Sequence, residues 1–158
     1  MTLIQSKAWL KNNYSKGAQC PCCHQYVKLY KRALNSGMAK LLINIYTIHR
    51  RYGNFDFLQI NEELTRIGEI AYPAYASLAY WKLLEPMKHQ PNHKKYSGKW
   101  RITKSGIMFV ENRMKVCSHV ILYNKNIIGF DGPQVSIEDC LGILYDYNEL
   151  MNTKVKEL

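Results

Sequence analysis

The chain has 158 residues, 47% of them hydrophobic and 12% aromatic, enough for the core of one domain or one domain plus a small appendage. No apolar run approaches the roughly 18–20 residues that cross a bilayer, and the first residues lack the apolar stretch of a signal peptide, so the expected compartment is a cytoplasm, where disulfides are rare. The net charge of +10 is uneven: residues 1–55 hold nine Lys/Arg and no Asp/Glu, residues 131–158 hold six acidic residues and two basic ones, and the basic excess favours a polyanionic partner.

Residues 1–32 read as a basic arm with a cysteine knuckle and a strand. Leu3, Ile4, Trp9 and Leu10 are the apolar points at which residues 1–16 either dock or stay free. Cys20-Pro21-Cys22-Cys23-His24 follows. Cys20 and Cys23 form C-x-x-C, a spacing at which a tight turn presents both sulfurs to one tetrahedral zinc. They are half of a four-ligand site. Cys117-Ser118-His119 is the best distant candidate for the other half, and Cys140 is a lone alternative. A redox couple and plain reduced thiols are the other readings of the pair. In QYVKLYKR, Val27, Leu29 and Lys31 share one strand face, and Tyr26, Lys28, Tyr30 and Arg32 share the other. That aromatic and basic face suits phosphate pairing and base stacking, or else a solvated edge strand guarded by lysine.

Residues 33–114 read as the central domain. Ser36 is the expected N-cap of a helix with a stripe of Met38, Leu41, Leu42, Ile45, Ile48 and His49, stopped at Gly53. His49 is expected to be a packed or surface histidine. A short strand spans Phe55 to Ile60, and Asn61 caps a second helix from Glu62 to about Ala71. Pro73 opens a third helix, with Ala74, Leu78, Trp81 and Leu84 inward and Tyr75, Ser77 and Lys82, with Tyr80 nearby, on the other face. Pro86 ends it. From Lys82 to Lys104 the chain carries seven Lys/Arg against one acid, Glu85. His89 and His93 lie in that loop at a spacing that is weak evidence for metal. Trp100 and Ile102 flank Arg101 in strand alternation, and Thr103 caps a helix with Ile107, Met108 and Val110.

Residues 115–158 read as an acidic, apolar appendage. Lys115 to Tyr123 and Ile127 to Phe130 make a hairpin about Asn124-Lys125-Asn126. Asp131-Gly132-Pro133 is an expected turn. Ser136 caps a helix with Glu138 and Asp139 in its first turn, and Tyr147 to Met151 prolongs it or starts another.

Trp81-Lys82-Leu83-Leu84-Glu85, the basic loop and Trp100-Arg101-Ile102-Thr103-Lys104-Ser105-Gly106 resemble the end of the recognition helix, the wing and the following strand and helix start of the winged-helix family. The resemblance covers roughly Ser36 to Arg113, with Lys82 where the family has glycine. It implies an α+β fold, a winged helix-turn-helix core between the zinc-knuckle-like segment and the hairpin-helix appendage. It also implies a third helix in a major groove, with Tyr75, Ser77, Tyr80 and Lys82 nearest bases and backbone, and Lys94, Lys95, Lys99 and Arg101 meeting phosphates. Over most of its length the chain also resembles small winged-helix proteins of unknown function from tailed-phage genomes. That likeness implies a DNA-binding regulator, or a protein that seizes a host nucleic-acid or defence machine. The appendage suits dimerisation, a partner protein or plain support of the core. No glycine-rich phosphate loop, H-E-x-x-H or G-x-S-x-G is present, so no enzyme is expected.

Overall fold

Thr2 and Gln5 form a capping box, the Thr2 hydroxyl accepting the Gln5 amide while the Gln5 side chain accepts the Thr2 amide. The expected basic arm therefore begins as a helix, α1 (Leu3–Asn13). The structure, a computed structural model, describes residues 1–69, 73–88 and 96–152. The chain divides into two units: residues 1–33 with 119–132, and residues 34–118 with 133 onward.

In the first unit a short 3-10 turn (Tyr14–Lys16) leads into β1 (Ala18–Gln19), which pairs antiparallel with β2 (Tyr26–Val27) around the cysteine turn. The expected continuous strand over residues 25–32 is broken, since β3 (Tyr30–Ala33) pairs with a different strand, β7 (Val116–Tyr123). The sheet order is β3-β7-β8, with β8 spanning Asn126–Val135. Asn124 and Lys125 both have positive φ, 48° and 64°, as a two-residue primed hairpin turn requires. Residues 131–133, expected as a turn, continue β8. Gly132 takes φ of 82°, and β8 is at the edge of its sheet, where proline is tolerated. The hairpin tip thus groups with residues 1–33, and the C-terminal helices group with the central segment.

The second unit is built on α2 (Ser36–Tyr52), whose stripe of Met38, Leu41, Leu42, Ile45, Ile48 and His49 is buried. Asn35, rather than Ser36, is the N-cap. Its extended backbone lets its side-chain oxygen accept the Met38 amide at 2.9 Å. Gly53 closes the helix at φ 72°. The expected strand after it shortens to β4 (Leu58–Gln59), which runs straight into α3 (Ile60–Arg66), so Gln59 replaces Asn61 at the cap position. No side chain caps α3, but Glu62 and Glu63 sit at its positive end.

The expected third helix is a 3-10 helix, Pro73–Trp81. It leads to β5 (Leu84–Lys88), β6 (Tyr96–Ile102) and α4 (Lys104–Val110), capped by Thr103 as expected. Pro86 does not end a helix; it lies in β5 opposite Trp100, next to a register shift. β5 is an edge of the sheet β4-β6-β5, where a missing N–H is tolerated. The chain closes with α5 (Ile137–Leu141), under a Ser136–Asp139 capping box, and a separate α6 (Tyr147–Asn152). The Tyr147 hydroxyl ties α6 to the Val110 carbonyl at 2.6 Å.

Candidate nucleic-acid interface

The 3-10 winding decides which residues of Pro73–Trp81 reach the surface. With about three residues per turn, side chains eclipse at i+3 rather than rotating as in an α-helix. Leu78 and Trp81 share a buried stripe, and the Trp81 Nε1–H donates to the Cys117 carbonyl at 2.8 Å. Ser77, expected on the outward face, is turned inward and is only 6% exposed, so it leaves the set of surface contacts. Tyr75 and Tyr80 are half-buried, and the Tyr75 ring meets Trp100 edge-on at 5.6 Å. Ala76 and Lys82 are the exposed positions on the remaining stripe.

Lys82 holds φ of 58°, the left-handed conformation that glycine supplies more cheaply. The turn around it is tied on both sides. The Lys82 amide donates to Ala79 at 3.0 Å and the Leu83 amide to Leu78 at 3.2 Å. Thr103 then fixes the exit of β6: its amide donates to the Leu83 carbonyl and its hydroxyl to the Lys82 carbonyl. Gly106 sits under this clamp. A Cβ there would lie 2.1 Å from the Leu83 carbonyl oxygen.

On the β5–β6 hairpin, Glu85 and Arg101 are directly opposed. The Arg101 guanidinium donates to Glu85 at 2.6 Å and stands 4.3 Å from the Phe57 ring centroid. Its charge is therefore already matched, which removes it from the cations expected to meet phosphate unopposed. Lys88 and Lys99 are exposed on the two strands, and Lys104 is exposed at the start of α4. Lys88 and Lys104 add to the contacts expected from the sequence, and the count of basic residues over 82–104 includes both. Lys94, Lys95, His89 and His93 lie outside the described residues.

Behind the hairpin, His49 is fully buried in α2, and its Nε2 accepts the Ile102 amide at 3.3 Å. The ring is thus a core group, neutral with its proton on Nδ1. Burial pushes its pKa below the usual histidine value, outweighing the opposing pull of the Asn54 backbone.

In the cysteine turn, the Cys20 amide donates to the Gln25 carbonyl at 2.7 Å and the His24 amide donates to the Cys20 carbonyl at 2.8 Å, with His24 at φ 61°. The backbone amides of Cys23 and Cys22 point at the Cys20 sulfur and hold its thiol below the usual cysteine range, and the Cys23 side chain hydrogen-bonds to it. Cys20 is buried against the turn, whereas Cys22, Cys23 and His24 are exposed. Among the described residues no three His, Cys, Asp or Glu side chains gather as a metal group. Cys117 accepts a hydrogen bond from the Gln134 amide at 3.0 Å, and burial pushes the Cys140 thiol up to about 12.

Comparison with family models, with curated proteins and with solved structures returned no match.

Proposed function

We propose that the chain is a non-enzymatic winged-helix protein that binds DNA mainly through its phosphates, a regulator of the kind its phage-like sequence implies. The element order supports this: a helix, a short strand, two helical segments, a two-stranded wing and a capped helix, with β4, β6 and β5 in one sheet. The carrying observation is the β5–β6 hairpin with exposed Lys88 and Lys99, flanked by exposed Lys82 and Lys104. Phosphate contacts position a protein on DNA, whereas sequence is read by side chains at base edges. With Ser77 buried and Tyr75 packed on Trp100, few side chains of the 3-10 helix remain for base readout. Binding should therefore vary little with sequence. Mobility-shift titrations with several unrelated duplexes test this. Similar affinities support the reading. No shift with any duplex at low salt removes it, and a strong preference for one duplex removes its sequence-independent part.

A protein partner is the second reading, favoured by Ile143 and Leu144, which are 103% and 71% exposed just after α5. A host protein that co-purifies from a nuclease-treated bacterial lysate, and is lost on Leu144→Asp, would support it.

A further inference from the structure

Lys7, Leu10, Lys11 and Tyr14 recur at the three- and four-residue spacing that sets side chains on one face of α1 and its C-cap. Leu10 is buried and Tyr14 half-buried, whereas Lys7 and Lys11 are exposed. The end of β7 stands against that face: the Tyr14 and Tyr123 rings meet edge-on, with centroids 4.8 Å apart and planes at 71°. This face of α1, together with Tyr123 and Asn124, lines a cleft of about 600 Å³ that lies wholly within the first unit. Such a volume falls among small-molecule sites, about 300–1,000 Å³. The aromatic wall is held by backbone. The Tyr14 carbonyl accepts the Gly17 amide at 3.1 Å and the Leu29 amide at 3.2 Å, while its own amide donates to the Leu10 carbonyl.

The charge in the cleft is of one sign, since no acidic side chain lines it. Residues 1–33 and 119–132 hold a single acid, Asp131, and Lys31 takes it at 2.5 Å. No carboxylate of the unit therefore competes for Lys7 and Lys11. Side chains four apart on a helix have Cβ atoms about 5–6 Å apart, so both ammoniums can reach one dianionic group. A phosphate monoester is such a group. The tyrosine rings and Leu10 offer apolar surface to a planar body beside it. Asn124, at the hairpin tip, adds an amide that both donates and accepts, as the polar edge of a nucleobase requires. A fatty acid would leave one ammonium and that amide unmatched.

We infer that this cleft binds a nucleoside monophosphate group, with Lys7 and Lys11 on the phosphate, the base against Tyr14 and Tyr123, and its polar edge at Asn124. The group occurs free in solution or as the phosphorylated end of a strand. The site is separate from the lysine hairpin, whose residues all belong to the second unit, so it stands whether or not that hairpin meets duplex DNA.

The test is an NMR titration of the isotope-labelled full chain. Adenosine monophosphate should shift the amide signals of Lys7 to Tyr14 and of Tyr123 and Asn124, and saturate. Adenosine and inorganic phosphate, each lacking one half of the contacts, should bind at least roughly tenfold more weakly. The Lys7→Gln, Lys11→Gln double variant should lose roughly tenfold in affinity. Lys28→Gln, exposed in the same unit but away from the cleft, should bind as the parent. A short deoxyadenylate strand with and without a terminal phosphate distinguishes the sources: preference for the phosphorylated strand over the free nucleotide assigns the site to strand ends, and the reverse assigns it to free nucleotide. If the double variant proves unfolded, the ligand series on the parent protein decides. The inference is overturned by the absence of saturable shifts at the cleft with both nucleotide and phosphorylated strand, by equal affinity for inorganic phosphate, or by an equal loss in Lys28→Gln.

Discussion

The Thr103 hydroxyl donates to the Lys82 carbonyl across 2.5 Å, joining the cap of α4 to the turn that leaves the 3-10 helix. One bond thus fixes both flanks of the lysine-bearing hairpin. The turn it steadies contains a lysine in a conformation that ordinarily favours glycine.

Replacing Lys82 separates folding from binding. A side chain in the left-handed region costs roughly 1–2 kcal/mol, and glycine returns part of that through its freer unfolded chain, roughly 0.4–1 kcal/mol. Lys82→Gly should leave stability unchanged or up to about 1 kcal/mol higher. The same variant should bind DNA more weakly on all sequences. Denaturant midpoints and duplex affinities measured on one preparation check both halves.

Gly106 is the most constrained position beside the hairpin. An added Cβ would sit 2.1 Å from the Leu83 carbonyl oxygen and 2.6 Å from Ile102 Cγ1. A backbone atom cannot swing away as a side chain can, so Gly106→Ala should cost about 1–3 kcal/mol. Gly129→Ala, with nothing within 4 Å of the new Cβ, should change stability little. Equal midpoints for the two variants would contradict the packing described for Gly106.

Glu85 restrains Arg101. Both side chains are about two-fifths exposed, at 43% and 41%, so the pair contributes only ~0–1 kcal/mol after solvent screening. Glu85→Gln should thus be nearly neutral for folding. It should tighten DNA binding at low salt and steepen the salt dependence by about one unit, because a guanidinium is released to phosphate. Unchanged affinity would place Arg101 away from the nucleic acid.

The pH dependence follows from His49. Burial holds its pKa in the folded chain below the ordinary 6.5. Below 6.5 the unfolded chain binds a proton that the folded chain refuses, so stability falls as pH drops. The loss levels off once the folded ring also protonates, and above 6.5 this histidine adds no slope. Thermal midpoints from pH 7.5 down to about 5 should decline more steeply in the parent than in His49→Gln. Parallel curves would show that the buried ring is not the titrating group.

The sequence disclosed some of this well. The α2 stripe needs nothing beyond its own spacing, and Asn124-Lys125 signals a hairpin because its strands alternate on either side. The Ser136–Asp139 capping box is equally local. Thr2 and Gln5 carry the same type of signal, yet no apolar stripe marks α1, because only Ser6 and Leu10 of that helix are buried, and without a stripe the sequence suggests an arm. The 3-10 helix was hidden for a different reason. Leu78 and Trp81 are three apart, a spacing that fits either winding, and the choice between them moves Ser77 from surface to interior. Pairing of Arg101 with Glu85 depends on strand register, and register depends on an intervening loop whose composition does not specify it.

The most direct test of the central claim is the affinity of the full chain for duplex DNA across rising salt, in the parent and in the Lys82→Gly, Lys99→Gln double variant. If the lysine hairpin meets phosphate, log affinity falls linearly with log salt, and the double variant loses about two units of slope while staying folded. No binding at low salt, or the same slope in both proteins, would contradict the account.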